Sequence, residues 1–251
     1  MKKFLFSAVA ILAFGSVASA ADLPTKGPAP VVARPTCAAQ WWQGGYIGIN
    51  GGGTHWTANR TDQDEVLVDS ATYVQKEWGG TIGGQAGYNF ARCNTLWGIE
   101  VDGNWMSNDV TTRLIPNASP LLDINIKSKF DAIVTARLRG GVVVDDLFIY
   151  VTGGLAGGHF KTTYQNAFFG IAGVVPGFNF IAEFSDWRLG WVAGIGTEWR
   201  WTDHWTVKGE VLYAEFADRT HTVLFAPPAT NASFTESDSI WISRIALNYK
   251  F

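Results

Sequence analysis

The chain has 251 residues, of which only 16% are charged and 14% aromatic, with 28 Gly, 12 Trp and a formal net charge of −3. The negative balance argues against nucleic acid as a partner, and so small a charged share is less polar material than a water-facing surface normally carries. Beyond the N-terminal segment no apolar run approaches the about 20 residues that a membrane-spanning helix needs.

In chain order, Lys2 and Lys3 precede an apolar run from Phe4 to Phe14, and Ala18-Ser19-Ala20 supplies small residues for cleavage. Residues 1–20 therefore read as a secretory signal peptide, whose apolar run is too short to span a bilayer. Residues 21–40 are rich in proline and read as an extended periplasmic linker. The two cysteines, Cys37 and Cys93, belong to an exported chain and form a candidate disulfide.

Residues 41–251 hold eight segments of period-two alternation: 42–53, 79–90, 95–107, 128–143, 147–162, 187–201, 205–216 and 239–251. The gaps between them alternate strictly, twenty or more residues and then three or four. Compact soluble domains rarely hold four such long loops, whereas transmembrane barrels pair short periplasmic turns with long outer loops. The predicted fold is all-β, an eight-stranded antiparallel up-and-down transmembrane β-barrel. Its sheet must close, because lipid offers no partner to an open edge.

The tight turns give the faces. Around Cys93-Asn94, Phe90 meets Trp97 outside and Gly87 meets Glu100 inside. Centring the next turn between Val144 and Asp145 pairs Val142 with Leu147 outside and Arg139 with Tyr150 inside. Centring the third on Asp203 pairs Trp199 with Val207 outside and Glu198 with Lys208 inside. Aromatic residues gather at both strand ends, as lipid-interface belts do. Trp42, Phe90, Trp97, Trp199, Trp201, Trp205, Tyr249 and Phe251 fall near the short turns. Trp105, Trp187, Trp191, Tyr213 and Trp241 fall toward the long loops.

The inward parity carries Glu100, Asp102, Lys129, Asp131, Arg137, Arg139, Arg188, Glu198, Arg200, Lys208, Glu210 and Arg244. In a lumen just wide enough for side chains these predict an interleaved ion-pair network, since an unpaired buried charge is costly. Rearranged pairs could instead gate a narrow pore. His55, His159 and His221 fall on the long-loop side and are the candidates for a haem or metal site, although no spacing singles them out. A lipid-modifying enzyme would need a nucleophile, a base and an acid at the outer leaflet. His159 in "GGHF" has the right height, but no serine lies beside it in sequence. The expectation is a non-enzyme without cofactor or metal.

The segments "WWQGGYIGINGGG", "GGTIGGQAGYNF", "LFIYVTGGLAGG", "GWVAGIGTEWRW" and the final "ALNYKF" resemble the outer-membrane immunogenic β-barrel proteins of alphaproteobacteria, which are similar to the transmembrane domain of outer-membrane protein A. The resemblance covers residues 41–251. It implies a cell outer membrane location and roles in envelope integrity and surface interactions. It also implies outer-membrane lipid, lipopolysaccharide and host or environmental ligands as partners. Haem binding is reported for some relatives. The resemblance further implies that Tyr249 and Phe251 form the signal read by the barrel assembly machinery. On this reading loops 54–78, 108–127, 163–186 and 217–238 carry recognition, with a narrow porin-like channel or surface receptor as the alternative.

Overall fold

The computed structural model describes residues 38–62, 72–114, 122–168, 178–225 and 230–251. The predicted signal peptide, most of the linker and Cys37 lie outside the described residues. A 3-10 turn, Ala38–Trp42, is followed by β1 (Gly44–Asp62), β2 (Thr72–Arg92), β3 (Thr95–Leu114), β4 (Leu122–Val144), β5 (Leu147–Phe168), β6 (Phe178–Arg200), β7 (Trp205–Phe216), β8 (Arg219–Phe225) and β9 (Thr230–Lys250). Each strand pairs antiparallel with its neighbour, and β1 pairs with β9, so the sheet closes. β7 and β8 lie in turn along the same edge of β9, interrupted at Ala217 and Asp218. Together they form one stave, and the barrel has the predicted eight. Closure pairs Tyr46 with Lys250 and continues to Asp62 with Phe234.

The alternation in the sequence becomes the two faces of the wall. Ile49, Ile82, Leu138, Val151, Leu155, Ile195 and Ile245 are exposed on the outside, while Glu100, Arg137, Arg139, Lys208 and Arg244 are buried inside. Apolar side chains outside and charges inside are what lipid around a closed barrel selects. Exposed Phe90, Trp97, Trp199, Trp201 and Phe251 ring the short-turn end; Trp105, Trp187, Trp191 and Trp241 ring the other.

Three expectations are corrected. Trp42 does not join the outer belt. The 3-10 turn folds under the short-turn end, where Ala39 N donates to Cys93 O at 2.9 Å and Trp42 packs on Phe148 with ring centroids 5.9 Å apart. Second, the β4–β5 hairpin pairs Val144 with Leu147 and Val142 with Ile149, two residues from the predicted register. A slip of two keeps every side chain on its face, so parity alone could not detect it. Third, the strands run far into the predicted loops. β5 has 22 residues, about twice the 9–11 that cross a bilayer core. Above the lipid both faces are polar, as in Thr57 to Asp62, and the apolar period that marks a strand disappears.

The lumen is filled in layers. At the short-turn end Trp42, Leu96, Val143, Phe148 and Tyr150 cluster with Ala39. A charged layer follows. Above it lies an apolar plug containing Trp56, Phe130, Ile133, Phe160, Leu212, Phe216 and Ile240. Within the plug Phe130 stacks on Phe160 at 4.5 Å, and Phe216 meets both rings edge-on.

Candidate functional site

The lower charged layer draws on five staves. Glu100 and Asp102 come from β3, Arg137 and Arg139 from β4, Glu198 from β6, Lys208 and Glu210 from β7, and Arg244 from β9. Four cations thus face four carboxylates. Lys208 Nζ donates to both Glu100 oxygens at 2.9 Å, and Arg137 pairs with Glu100, with Asp102 at 2.9 Å and with Glu210 at 2.9 Å. Arg139 reaches Glu198 at 2.8 Å, and its guanidinium lies over the Tyr46 ring at 4.5 Å. Tyr46 in turn donates to Glu100 at 2.5 Å, and Tyr150 to Glu210 at 3.1 Å. Desolvating so many charges is tolerable only because each carboxylate meets at least one cation and at least one neutral donor, as Glu198 meets Arg139, Thr206 and Asn248.

A second charged layer caps the plug. Arg60 Nη1 meets Asp238 at 3.1 Å, Arg188 Nη2 meets the same carboxylate oxygen at 2.6 Å, and Glu236 lies 3.5 and 3.6 Å from the two arginines. Trp56 Nε1 donates to Asp238 at 3.0 Å, and Arg188 lies over the Phe160 ring at 3.9 Å, so this layer is bonded to the plug below. Of its members, only Arg188 was read from the sequence. Arg60, Glu236 and Asp238 fell in stretches taken as loops. Their inward parity, continued from Trp56 and from Ile240, is the signal that would have found them.

Three residues predicted for the lumen are elsewhere. Arg200 lies at the short-turn rim, half-buried, with Asp146 at 2.5 Å and Trp41 under its guanidinium at 5.0 Å. Asp131 is the extra residue of a bulge, since Phe130 pairs with Phe160 while Ala132 pairs with His159. One inserted residue reverses the parity on one side of it, so Lys129 and Asp131 both leave the lumen side that the sequence assigned them.

On the outer wall Asp131 Oδ1 lies 2.5 Å from His159 Nδ1, and the Ser185 hydroxyl lies 3.1 Å from His159 Nε2. The sequence placed no serine near this histidine, because the contact runs across the β5–β6 pairing. His55 is on β1 rather than in a loop, half-buried, with its ring 4.6 Å from Trp78. His221 falls in β8 opposite Phe234; its side chain lies outside the described residues. Tyr249 packs on Trp205 at 5.1 Å and on Phe251 at 5.6 Å, and Phe251 N donates to Gly45 O at 3.1 Å. Cys93 is in a disulfide; its predicted partner Cys37 lies outside the described residues.

Comparison with known proteins places this geometry. The outer membrane protein beta-barrel domain matches residues 7–251. The chain belongs to the outer membrane protein beta-barrel family. Among similar members of known sequence, the 31 kDa outer-membrane immunogenic protein of Brucella melitensis is 31% identical over the full length of both chains. The 25 kDa outer-membrane immunogenic protein of Brucella abortus is 25% identical, covering 100% of this chain and 99% of the relative. Among solved structures, the outer membrane protein OprG of Pseudomonas aeruginosa aligns with 83% of this chain and 96% of its own, at 12% identity and a TM-score of 0.43. As a barrel of this family, the protein resides in the outer membrane, and the apolar band between its aromatic girdles is its lipid-facing surface.

Proposed function

We propose that this barrel is a structural element of the outer membrane whose lumen is closed and whose long hairpins present recognition surface to the outside. The observation that carries this reading is the lumen filling: an apolar plug held between two charge-balanced layers, each cross-linking several staves. A conduit needs a wetted path, and a plug of packed rings, bonded to the ion pairs above it and lying over a second layer of ion pairs, opposes one. In this orientation the short turns face the periplasm and the long hairpins face outward. Lipid and lipopolysaccharide contact the wall, host or environmental ligands contact the hairpin tips, and the assembly machinery reads the Tyr249–Phe251 end of β9. Neither lumen nor tips need catalyse a reaction for this role.

Planar-bilayer recording of the purified folded protein tests the reading. Silence at potentials up to the rupture limit is the expected result. Sustained, ion-dependent current steps would overturn it in favour of a narrow pore. Protease treatment of intact cells, cutting within hairpin tips and sparing the short turns, checks the orientation.

A further inference from the structure

On the lipid-facing wall near the long-loop girdle, three side chains from three adjacent strands form a hydrogen-bonded chain. Asp131 comes from β4, His159 from β5 and Ser185 from β6. The carboxylate lies 2.5 Å from Nδ1 and the hydroxyl 3.1 Å from Nε2. With the carboxylate accepting the Nδ1 proton, Nε2 keeps its lone pair toward the serine hydroxyl. That tautomer is the one a base needs in order to take the hydroxyl proton.

The local sheet is distorted to make this contact. Asp131 reaches the outer face because it is the inserted residue of a bulge, and bulges re-aim side chains next to active sites. Trp187 packs on the imidazole at 5.2 Å between centroids and holds the ring against the wall. Ser185 is exposed and His159 and Asp131 are half-buried, so the hydroxyl is open to an incoming molecule while its partners are held in place.

The surroundings select the chemistry of that molecule. Toward the membrane centre the wall is apolar, with Leu155 69% and Leu189 76% exposed and Val134 beside them. Toward the loop end it becomes charged. Lys161 is directly opposite Ser185 in register and Lys129 is opposite Lys161, while Lys161 Nζ pairs with Glu183 at 2.5 Å. The serine therefore stands where acyl chains give way to polar headgroups, at the depth of the ester bonds of membrane lipids.

We infer that Ser185, His159 and Asp131 form an acyl-ester hydrolase site for an anionic lipid of the outer leaflet. Ser185 Oγ attacks the ester carbonyl carbon as its proton passes to His159 Nε2. The tetrahedral intermediate, its oxyanion on the side of Lys161 and Lys129, expels the alcohol, which takes that proton. Water, deprotonated by the same nitrogen, then attacks the acyl-serine carbonyl and releases the carboxylic acid, returning the proton to Ser185. Ester plus water gives alcohol plus acid, with no redox partner. Asp131 is a positioning residue, orienting the imidazole and stabilising its charged form. The inference goes beyond the structural role and is independent of the closed lumen.

The test uses the full chain, folded in detergent, with a fluorophosphonate probe that labels only activated serines. Label at Ser185, located by peptide mass spectrometry, is expected, with at least a tenfold loss of labelling rate in His159→Ala and in Asp131→Asn. Incubation with lipopolysaccharide aggregates in one arm and phosphatidylglycerol vesicles in the other should release fatty acid in at least one, which identifies the source of the ester, and none with Ser185→Ala. That substitution removes one exposed hydroxyl, and retained heat-dependent gel mobility will certify the fold. A folded wild type that takes no label at Ser185, labelling unaffected by His159→Ala, or acid release persisting in Ser185→Ala would each overturn the inference. None of these outcomes alters the conductance result on which the structural role depends.

Discussion

Arg244 and Asp102 lie 142 residues apart in sequence, yet Arg244 Nη1 donates to Asp102 Oδ1 at 2.9 Å across the lumen. The same guanidinium also donates through Nε to Glu210 Oε2 at 2.9 Å. It therefore ties the closing strand β9 to its neighbour β7 and, across the lumen, to β3.

Replacing Arg244 with Met should leave Asp102 and Glu210 buried with fewer cations. Breaking a buried pair by removing one partner costs about 3–5 kcal/mol, and that loss is expected in urea unfolding followed by gel mobility. Adding Asp102→Asn should recover part of it, because a neutral amide no longer needs the missing charge. A double variant as unstable as the sum of the single changes would argue that the two residues are not coupled.

Trp56 serves two layers, filling the plug beside Phe130 and Phe160 and donating to Asp238 at 3.0 Å. Trp56→Ala removes a fully buried ring and strips the upper charged layer of a donor, for an expected loss of about 3–5 kcal/mol. Conductance should nevertheless stay at zero, because the lower layer from Glu100 to Arg244 remains shut. Current through this single variant would show that the plug alone closes the barrel.

The parts of this architecture that were legible in the sequence are those in which lipid contrasts with lumen. Phe90 opposite Trp97 and Glu198 opposite Lys208 were readable because each hairpin has one apolar and one charged face. Where the contrast ends, legibility ends with it. Arg60, Glu236 and Asp238 stand on stretches with two polar faces, which read as loops although the hydrogen-bonded ladder continues through them. The contact of His159 with Ser185 crosses 26 residues of sequence and depends on the register of one hairpin. Asp131 was assigned the wrong face because no local pattern announces an inserted residue.

Cys93 has a positive φ of 52° and stands in the first tight turn, whose carbonyl also accepts from Ala39 N at 2.9 Å. Cys93 is in a disulfide, and with two cysteines in the chain the pairing predicted from the sequence is with Cys37, which would tie the linker to this turn. Unfolded, oxidised protein should migrate faster on a denaturing gel than the reduced protein, because the cross-link closes a loop in the unfolded chain. Cys93→Ser should remove the difference. Equal mobility of oxidised and reduced wild type would rule the pairing out.

Deleting Asp131 separates the role of the bulge from the role of the wall. Phe130 and Ile133 both face the lumen, so removing the inserted residue leaves a regular inward, outward, inward order along β4 and a continuous ladder to β5. The variant should assemble and keep heat-dependent gel mobility, with a stability change of about 1–2 kcal/mol, while His159 loses its carboxylate. Deleting Ala136, an outward residue paired with Val101 and Leu155, has the opposite effect. It moves one half of β4 out of phase and turns either Arg137 and Arg139 or their upstream partners to the wrong face, and such a chain should fail to fold. If both deletions assemble equally well, the placement of Asp131 by a parity-reversing bulge is wrong; if only the loss of Asp131 is tolerated, the bulge is an insertion that the barrel can do without and the carboxylate it presents is free to serve the outer wall.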